Sequence, residues 1–136
     1  MTESSSQAAW NDGLHYLMRQ CREDSERWFP KTQDDLAFMT LAMAGEVGEV
    51  ANIVKKVVRG SMTLNDAMSS AIMGAQEKDT LQEEIVDVLI YLLSLMSLPQ
   101  FKDVDWMDIW YKKRKLNLER FGDHRFESHR YLENQA

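Results

Sequence analysis

The amino-acid sequence predicts an all-α protein. Turn-forming residues are sparse, with Gly 6 and Pro 2 among 136 residues. The alternation that marks strands is scarce, whereas apolar residues recur at helical spacing in several long segments. Threonine and aspartate stand before these segments, where their side chains can cap helices. The length suits a single domain over residues 1–136, with 1–6 and 123–136 as flexible or oligomer-contacting tails.

Composition and charge argue against several classes of protein. The net charge of -6 disfavours general nucleic-acid binding, which needs a basic face. The most apolar run, Ile85–Leu98, is too short to cross a bilayer and contains Asp87. Cys21 is the single cysteine, so no intrachain disulfide forms, and a thiol packed between helices is expected. Because no signal peptide is visible, we expect a cytoplasmic protein.

The first helix, predicted over Gln7–Arg27, leads into an aromatic pair. Trp28 and Phe29 precede Pro30, and proline pushes the residue before it toward extended geometry. The segment is therefore predicted to be a loop. The aromatic pair is either a hydrophobic plug at the helix junction or a stacking platform for a nucleobase, and the residues leave both open.

The second helix is predicted over Asp34–Val58, capped by Thr32 or Asp34 and stopped by Gly60. A basic cluster that includes Lys56 occupies its last turn. Cations there commonly just complement the helix dipole, but they could also face an anion.

Two glutamates interrupt the apolar surface of this helix. Glu46 and Glu49 are three residues apart, so they project from one helix face and can converge on one object. Gly45 and Gly48 stand beside them, and each glycine in a helix interior costs about 1 kcal/mol relative to alanine. Close approach of another helix or of a ligand would explain the glycines. The alternative is an exposed acidic stripe on an amphipathic helix.

A long connection, Ser61–Asp79, precedes the third helix. It contains a possible short helix over Thr63–Ile72 and is either a functional lid or a solvated linker. Thr80 and Glu83 form a capping box, which places the start of the third helix at Leu81.

The third helix carries the second carboxylate pair. Glu84, Asp87 and Tyr91 share one stripe of a helix that is otherwise apolar nearly all round and is therefore expected to be buried. An aspartate in such surroundings destabilises the helix unless it is paired or binds a metal. Glu83, one position off the stripe, is predicted to be structural.

A fourth helix is predicted from Asp103 or Asp105, as cap, to Phe121, with Gly122 closing it. One of its faces carries a polar stripe, formed by Lys113, Asn117 and Arg120. Such a stripe is usually solvated or salt-bridged, but it could also face the phosphates of a metal-bound ligand.

Two helices thus each present a carboxylate pair at i and i+3. Packed antiparallel, they could collect four carboxylates in one pocket, where all four cannot stay ionised without cations. Oxygen ligands without cysteine or histidine select Mg²⁺, or Mn²⁺, over zinc. Mg²⁺ commonly bridges to phosphate oxygens, so the pattern points to metal-dependent chemistry on a phosphate ester or anhydride.

Two segments of the sequence resemble a known family. GEVGEVANIVKK (Gly45–Lys56) followed by LQEEIVDVLIYLLSL (Leu81–Leu95) is similar to the MazG-type all-α nucleoside triphosphate pyrophosphohydrolases. The form is most similar to the dCTP pyrophosphatase and short phage or bacterial MazG-like branch. Gly45 departs from the pattern, since the family has a glutamate there. The spacer from Glu49 to Glu84 is also long for the family.

The resemblance implies a four-helix MazG-like bundle, assembled as a homodimer or a dimer of dimers. It implies Mg²⁺ held by Glu46, Glu49, Glu84 and Asp87, with Glu49 also orienting the attacking water. The implied substrate is a nucleoside triphosphate, cleaved to a monophosphate and pyrophosphate. The implied substrate-binding residues are Trp28, Phe29, Lys56, Tyr91, Lys113, Asn117 and Arg120.

Two other classes of protein remain open from the residues. One is a non-catalytic helical adaptor that binds metal or nucleotide on the same fold. The other is a structural helical protein without a site, which would require Asp87 to be buried and paired with a base such as Arg59.

Overall fold

The computed structural model describes residues 3–122, with side chains from residue 8 onward. The predictions for 123–136 therefore lie outside the described residues. Every regular element in the described range is helical, which confirms the all-α class. The six α-helices are α1 (Glu3–Trp28), α2 (Leu36–Val58), α3 (Leu64–Ala67), α4 (Ser70–Met73), α5 (Leu81–Met96) and α6 (Trp106–Phe121). Two short 3₁₀ turns cover Gly74–Gln76 and Pro99–Phe101.

The chain forms two compact units, residues 1–102 and 103–136. In the first unit α5 packs against both α1 and α2. Ile53 near the end of α2 shares a core cluster with Leu81 at the start of α5. Since Phe38, near the start of α2, and Tyr91, in the second half of α5, both contact Phe29, the two helices run antiparallel, as predicted.

The start of α2 corrects one prediction. Its cap is Asp35, whose carboxylate accepts a hydrogen bond of 3.0 Å from the backbone N–H of Phe38. Asp34 instead forms an ion pair of 2.6 Å with Arg22 of α1. A tertiary contact explains this difference. The guanidinium of Arg22 also donates to the backbone carbonyl of Gln33, so the segment before α2 is held against α1.

By length and composition α2 could cross a membrane. The same composition is found in core helices of water-soluble proteins. This helix packs along α5 and carries Glu46 at that contact. A carboxylate inside a bilayer would be energetically costly. Among the described residues of this helix only Met39 and Ile53 are buried within the chain, so most of its apolar surface is exposed.

The connection between α2 and α5 is folded onto the core. Thr63 caps α3 in a reciprocal box with Asp66, as its position before the predicted short helix suggested. Ala67 and Met73 are buried to 0% and 1% exposure and pack with Ile53 and Leu81. The side chain of Gln82 on α5 also donates to the backbone of Met68 at 2.9 Å. This connection is therefore anchored to the core and is not a solvated linker, and its role as a functional lid stays a prediction.

Helix α5 begins as predicted but is not buried all round within one chain. Thr80 and Glu83 form the expected capping box, with the Thr80 N–H donating to Glu83 Oε2 at 2.7 Å. Its inner side includes Ser94, which accepts a buried hydrogen bond of 3.3 Å from Ser25 of α1. Cys21 is buried beside Ser94, which confirms the packing thiol, and burial followed by Asp24 raises its pKa. The outer side leaves four apolar residues half-exposed, namely Ile85, Val86, Leu89 and Leu92.

The second unit is described through α6. Asp105 caps this helix by accepting from the backbone of Asp108 at 2.9 Å, and Gly122 closes it at φ 67°. Both ends of the helix agree with the predictions from the sequence. Helix α6 contains no buried residue, and its Trp110 is 62% exposed.

Candidate metal centre

Three of the four predicted carboxylates converge between α2 and α5. Glu46 projects from α2, and Glu84 and Asp87 project from the same face of α5. One oxygen from each carboxylate lies within 4.8 Å of an oxygen of the other two. Glu84 is buried, with 8% exposure, and the other two are partly buried. The antiparallel packing of two i, i+3 pairs thus produces the convergence that their spacing allowed.

The cluster is electrostatically unfavourable without a cation. Burial raises the pKa of Glu84 most, and repulsion from Asp79 and Glu46 raises it further. Burial and then Asp87 raise the pKa of Glu46, while burial and then Asp79 raise the pKa of Asp87. A hydrogen bond with Glu84 partly offsets the rise at Glu46, and such a bond needs a proton on one carboxyl. Among the described residues no lysine or arginine forms an ion pair with these three carboxylates.

The absence of a basic partner bears on the purely structural alternative. That alternative required a base such as Arg59 beside Asp87. In the described part of the chain Asp87 has no ion pair, and the charges that raise its pKa after burial are the carboxylates of Asp79 and Glu83. Carboxylates gathered in this way are typical of oxygen-ligand sites for divalent cations.

Glu49 stands outside the compact cluster but close to it. Its side chain is exposed, and its charge contributes to the raised pKa values of Glu46 and Glu84. It also lines a cavity that shares Glu84 with the cluster. The position suits a group that contacts a ligand or a water at the edge of a metal site. Its role as base stays a prediction.

Asp79 is a fifth carboxylate that sequence reasoning missed. It precedes the Thr80 cap, and its charge raises the pKa of Glu46, Glu84 and Asp87. An aspartate off the helix has no place in an i, i+3 search. The available signal was its position at the entrance to a helix that carries two of the ligands.

The cavity beside the cluster has a volume of about 370 Å³. It lies between the second half of α2 and the segment that leads into α5. Its walls are formed by Glu49, Asn52, Ile53, Lys55, Lys56, Glu77, Lys78, Asp79 and Glu84. Lys56, the substrate-binding residue predicted on α2, therefore lies beside the carboxylates.

The three aromatic residues predicted to bind substrate have different surroundings in the structure. The Phe29 ring lies 5.3 Å from that of Phe38 and 6.3 Å from that of Tyr91, between centroids. Burial raises the pKa of Tyr91, and so do Glu46 and Asp87, so the phenol lies near the carboxylates. Trp28 is 58% exposed. Phe38 was not predicted, because an aromatic at helical spacing is usually core.

The polar stripe predicted on the fourth helix belongs to the second unit. Lys113 and Arg120 are exposed on α6, and Asn117 is partly buried. The metal centre described above belongs entirely to the first unit. The role of the stripe at the centre therefore stays a prediction.

The glycines of α2 do not serve packing inside this chain. A Cβ added at Gly45 or Gly48 would meet no atom within 4 Å among the described residues. The close approach of another helix predicted there is thus absent within the described residues, and the approach of a ligand stays a prediction.

Stability of the metal-free protein should depend on pH through this cluster. The pKa values of Glu46, Glu84 and Asp87 are raised, so the folded state binds protons more tightly than the unfolded state. Their contribution to the free energy of unfolding is complete below about pH 4, the unfolded carboxyl pKa. It is lost as the pH rises through the raised values.

Mg²⁺ should offset this loss, because a cation removes the repulsion. We expect Mg²⁺ to raise the urea midpoint of unfolding more at about pH 7.5 than at about pH 5, relative to EDTA. The Glu84→Gln variant should show a smaller difference between the Mg²⁺ effects at the two pH values. A stabilisation by Mg²⁺ that is equal at both pH values would contradict a carboxylate site.

The fold and the cluster together define an all-helical protein with a candidate divalent-metal centre. No family model matches the chain, and no solved structure matches it. It is similar to the gene 37 protein of Mycobacterium phage L5, with 29% identity over 77 residues. The match covers 57% of this chain and 54% of the phage protein, so it spans about half the length of that relative.

Proposed function

We propose that this protein is a Mg²⁺-dependent nucleoside triphosphate pyrophosphohydrolase, which converts a (d)NTP and water to a (d)NMP and pyrophosphate. The observation that carries the proposal is the convergence of Glu46, Glu84 and Asp87 within 4.8 Å beside a cavity lined by lysines. The resemblance of the two carboxylate motifs to the MazG-type enzymes supports the same reaction. In the cell this activity would control the nucleotide pool.

The ligand set fits Mg²⁺ or Mn²⁺. All donors are hard carboxylate oxygens from Glu46, Glu84 and Asp87, with Glu49 at the edge, and neither cysteine nor histidine takes part. When bound there, the cation supplies charge neutralisation and Lewis acidity for phosphoryl oxygens.

The residues of the chain itself would divide the remaining work. Glu49, exposed at the cavity, would orient and deprotonate the water that attacks the α-phosphorus. By the resemblance, Lys113 and Arg120 would neutralise charge on the departing pyrophosphate, and Lys56 in the cavity wall would assist. Asn117 would bond a phosphate or the sugar.

An aromatic group would hold the nucleoside. Tyr91 lies near the carboxylates and contacts Phe29, so these two rings are suited to contact sugar and base. Trp28 is exposed and free to cover the base from outside.

We also infer that the protein acts as a homodimer or homotetramer in the cytoplasm, with a nucleotide substrate and without nucleic-acid or membrane partners. Support comes from the half-exposed apolar residues of α5 and from the open space beside Gly45 and Gly48. Within the described residues these surfaces lie in water, where large apolar patches are unfavourable.

One observation favours the alternative of a non-catalytic metal- or nucleotide-binding adaptor. Gly45 stands where the resembled enzymes have the first glutamate of their motif, so one acidic group is lost. The carboxylates that remain still converge, which favours the enzyme.

Pyrophosphate release from a panel of NTPs and dNTPs tests the proposal. Release should require Mg²⁺ and stop in EDTA, and the preferred nucleotide identifies the base. The mass of the protein in solution is measured in the same buffer, with and without nucleotide. Nucleotide binding without release across the panel would support the adaptor instead.

A further inference from the structure

The cavity beside the metal centre has a wall that the connection supplies. Glu77, Lys78 and Asp79 line it from one side, opposite α2. This segment is fixed at both ends. Met73 is buried, the Lys78 N–H donates to the Met73 carbonyl at 3.1 Å, and Thr80 begins α5 with its capping box.

The turn that presents Lys78 is unusual. Glu77 has φ 55°, a left-handed conformation that side chains other than glycine, asparagine and aspartate seldom adopt. Its N–H donates to the Gly74 carbonyl at 3.1 Å. The backbone therefore reverses at Glu77 and carries the next residue to the cavity. The hydrogen bond from Glu77 to Gly74 and the one from Lys78 to Met73 are those of a left-handed helix C-cap, which fixes the direction in which the chain leaves the turn.

Among the described residues no close ion pair joins the charged side chains around the cavity. Three lysines line it, Lys55, Lys56 and Lys78, together with four carboxylates. Within the described residues none of these lysines lies within 4.0 Å of a carboxylate oxygen in an ion pair. Lys55 contacts only the amide oxygen of Asn52, at 3.4 Å. The cations are thus available to a ligand in the cavity.

The carboxylates of the cavity lead to the metal centre. Glu84 belongs to both, and Glu49 and Asp79 act electrostatically on the cluster. A ligand that fills the cavity must therefore offer negative charge to the lysines and also accept a cation held by the carboxylates. A phosphoanhydride complexed with a divalent metal meets both conditions.

We propose that this cavity binds the pyrophosphate portion of a metal-complexed nucleotide, and that Lys78, supplied by the connection, is one of its anion-binding groups. This inference rests on the proposed function for the identity of the substrate. It adds a binding residue on the connection, outside both carboxylate motifs. The cavity volume lies in the range of small-molecule sites in proteins.

Calorimetric binding of Mg²⁺-pyrophosphate tests the proposal without turnover. Lys78→Gln should weaken this binding about tenfold, since a charge-assisted hydrogen bond is lost. Lys78→Arg should restore it to within about threefold, because the charge is kept. Lys102→Gln is the matched control, since Lys102 is exposed, makes the same charge change and does not line the cavity.

Binding of Mg²⁺ alone separates an anion role from a metal role. Lys78→Gln should bind Mg²⁺ at least as tightly as the wild type, since a nearby positive charge is removed. Circular dichroism verifies the fold of each variant. Pyrophosphate affinity of Lys78→Gln equal to that of Lys102→Gln would overturn the proposal, as would a wild type that binds no pyrophosphate.

Failure of this inference is distinguishable from failure of the proposed function. A wild type that hydrolyses nucleotides, with Lys78→Gln binding pyrophosphate normally, keeps the enzyme and rejects Lys78. A wild type that releases no pyrophosphate from any nucleotide, yet binds Mg²⁺-pyrophosphate through Lys78, rejects the enzyme and keeps the anion site.

Discussion

Glu84→Gln should abolish Mg²⁺-dependent pyrophosphate release, with a loss in kcat/KM of about 100-fold or more. Glu84 is the most buried of the three clustered carboxylates, at 8% exposure. A neutral amide of nearly the same shape is a much weaker Mg²⁺ ligand than an anionic carboxylate oxygen. The metal-free variant should be at least as stable as the wild type, because the substitution removes a buried charge that other carboxylates repel.

The adjacent glutamate offers a matched control. Glu83 accepts from the backbone N–H and hydroxyl of Thr80, at 2.7 and 2.8 Å, and the folded state stabilises its charge. Glu83→Ala should therefore lower the unfolding midpoint while leaving hydrolysis close to that of the wild type. Kinetic assays in Mg²⁺ measure hydrolysis, and urea titrations in EDTA measure the stability of the metal-free protein. A metal-free Glu84→Gln that unfolds as readily as Glu83→Ala would assign Glu84 a structural role.

Met73→Ala should lower the free energy of unfolding by about 2–5 kcal/mol, the usual cost of removing a buried methionine side chain. Met73 is 1% exposed and belongs to the cluster that joins α2, the connection and α5. Removing the side chain leaves a cavity at this junction, and the surrounding helices can close that cavity only in part. This loss would be a large part of the stability of a domain of this size.

The neighbouring residue provides the comparison for this effect. Ile72 is 39% exposed, so Ile72→Ala removes less apolar surface from the protein interior and should cost clearly less than Met73→Ala. Equilibrium urea denaturation gives both values. Two equally small losses would mean that the connection is only loosely attached, against the burial seen in the structure.

Local sequence signals predicted most of the helices. Thr80 with Glu83, and Asp105 with Gly122, bound α5 and α6 as expected, because caps depend on residues within one turn of the helix end. The predicted cap of α2, Thr32 or Asp34, was wrong. Asp35 caps α2 because Arg22 on another helix engages Asp34, and nothing local to that turn indicates this partner.

The connection shows the same limit on a larger scale. Its length suggested a lid or a linker, and its short helices are individually weak. What holds it is the contact of Ala67 and Met73 with Ile53 and Leu81, which are distant in sequence. Lys78 consequently reaches the cavity by a route that periodicity could not reveal.

For the candidate site, the sequence by itself determined that Glu46 and Glu49, and Glu84 and Asp87, share helix faces, because three residues make nearly one helical turn. Only the tertiary structure decided that Glu46, Glu84 and Asp87 form the compact cluster, that Glu49 lies at its edge, and that Asp79 joins its electrostatic field. The physical reason is that helical periodicity fixes the direction of a side chain relative to its own helix. The distance between side chains on different helices is set by the packing of α2 against α5.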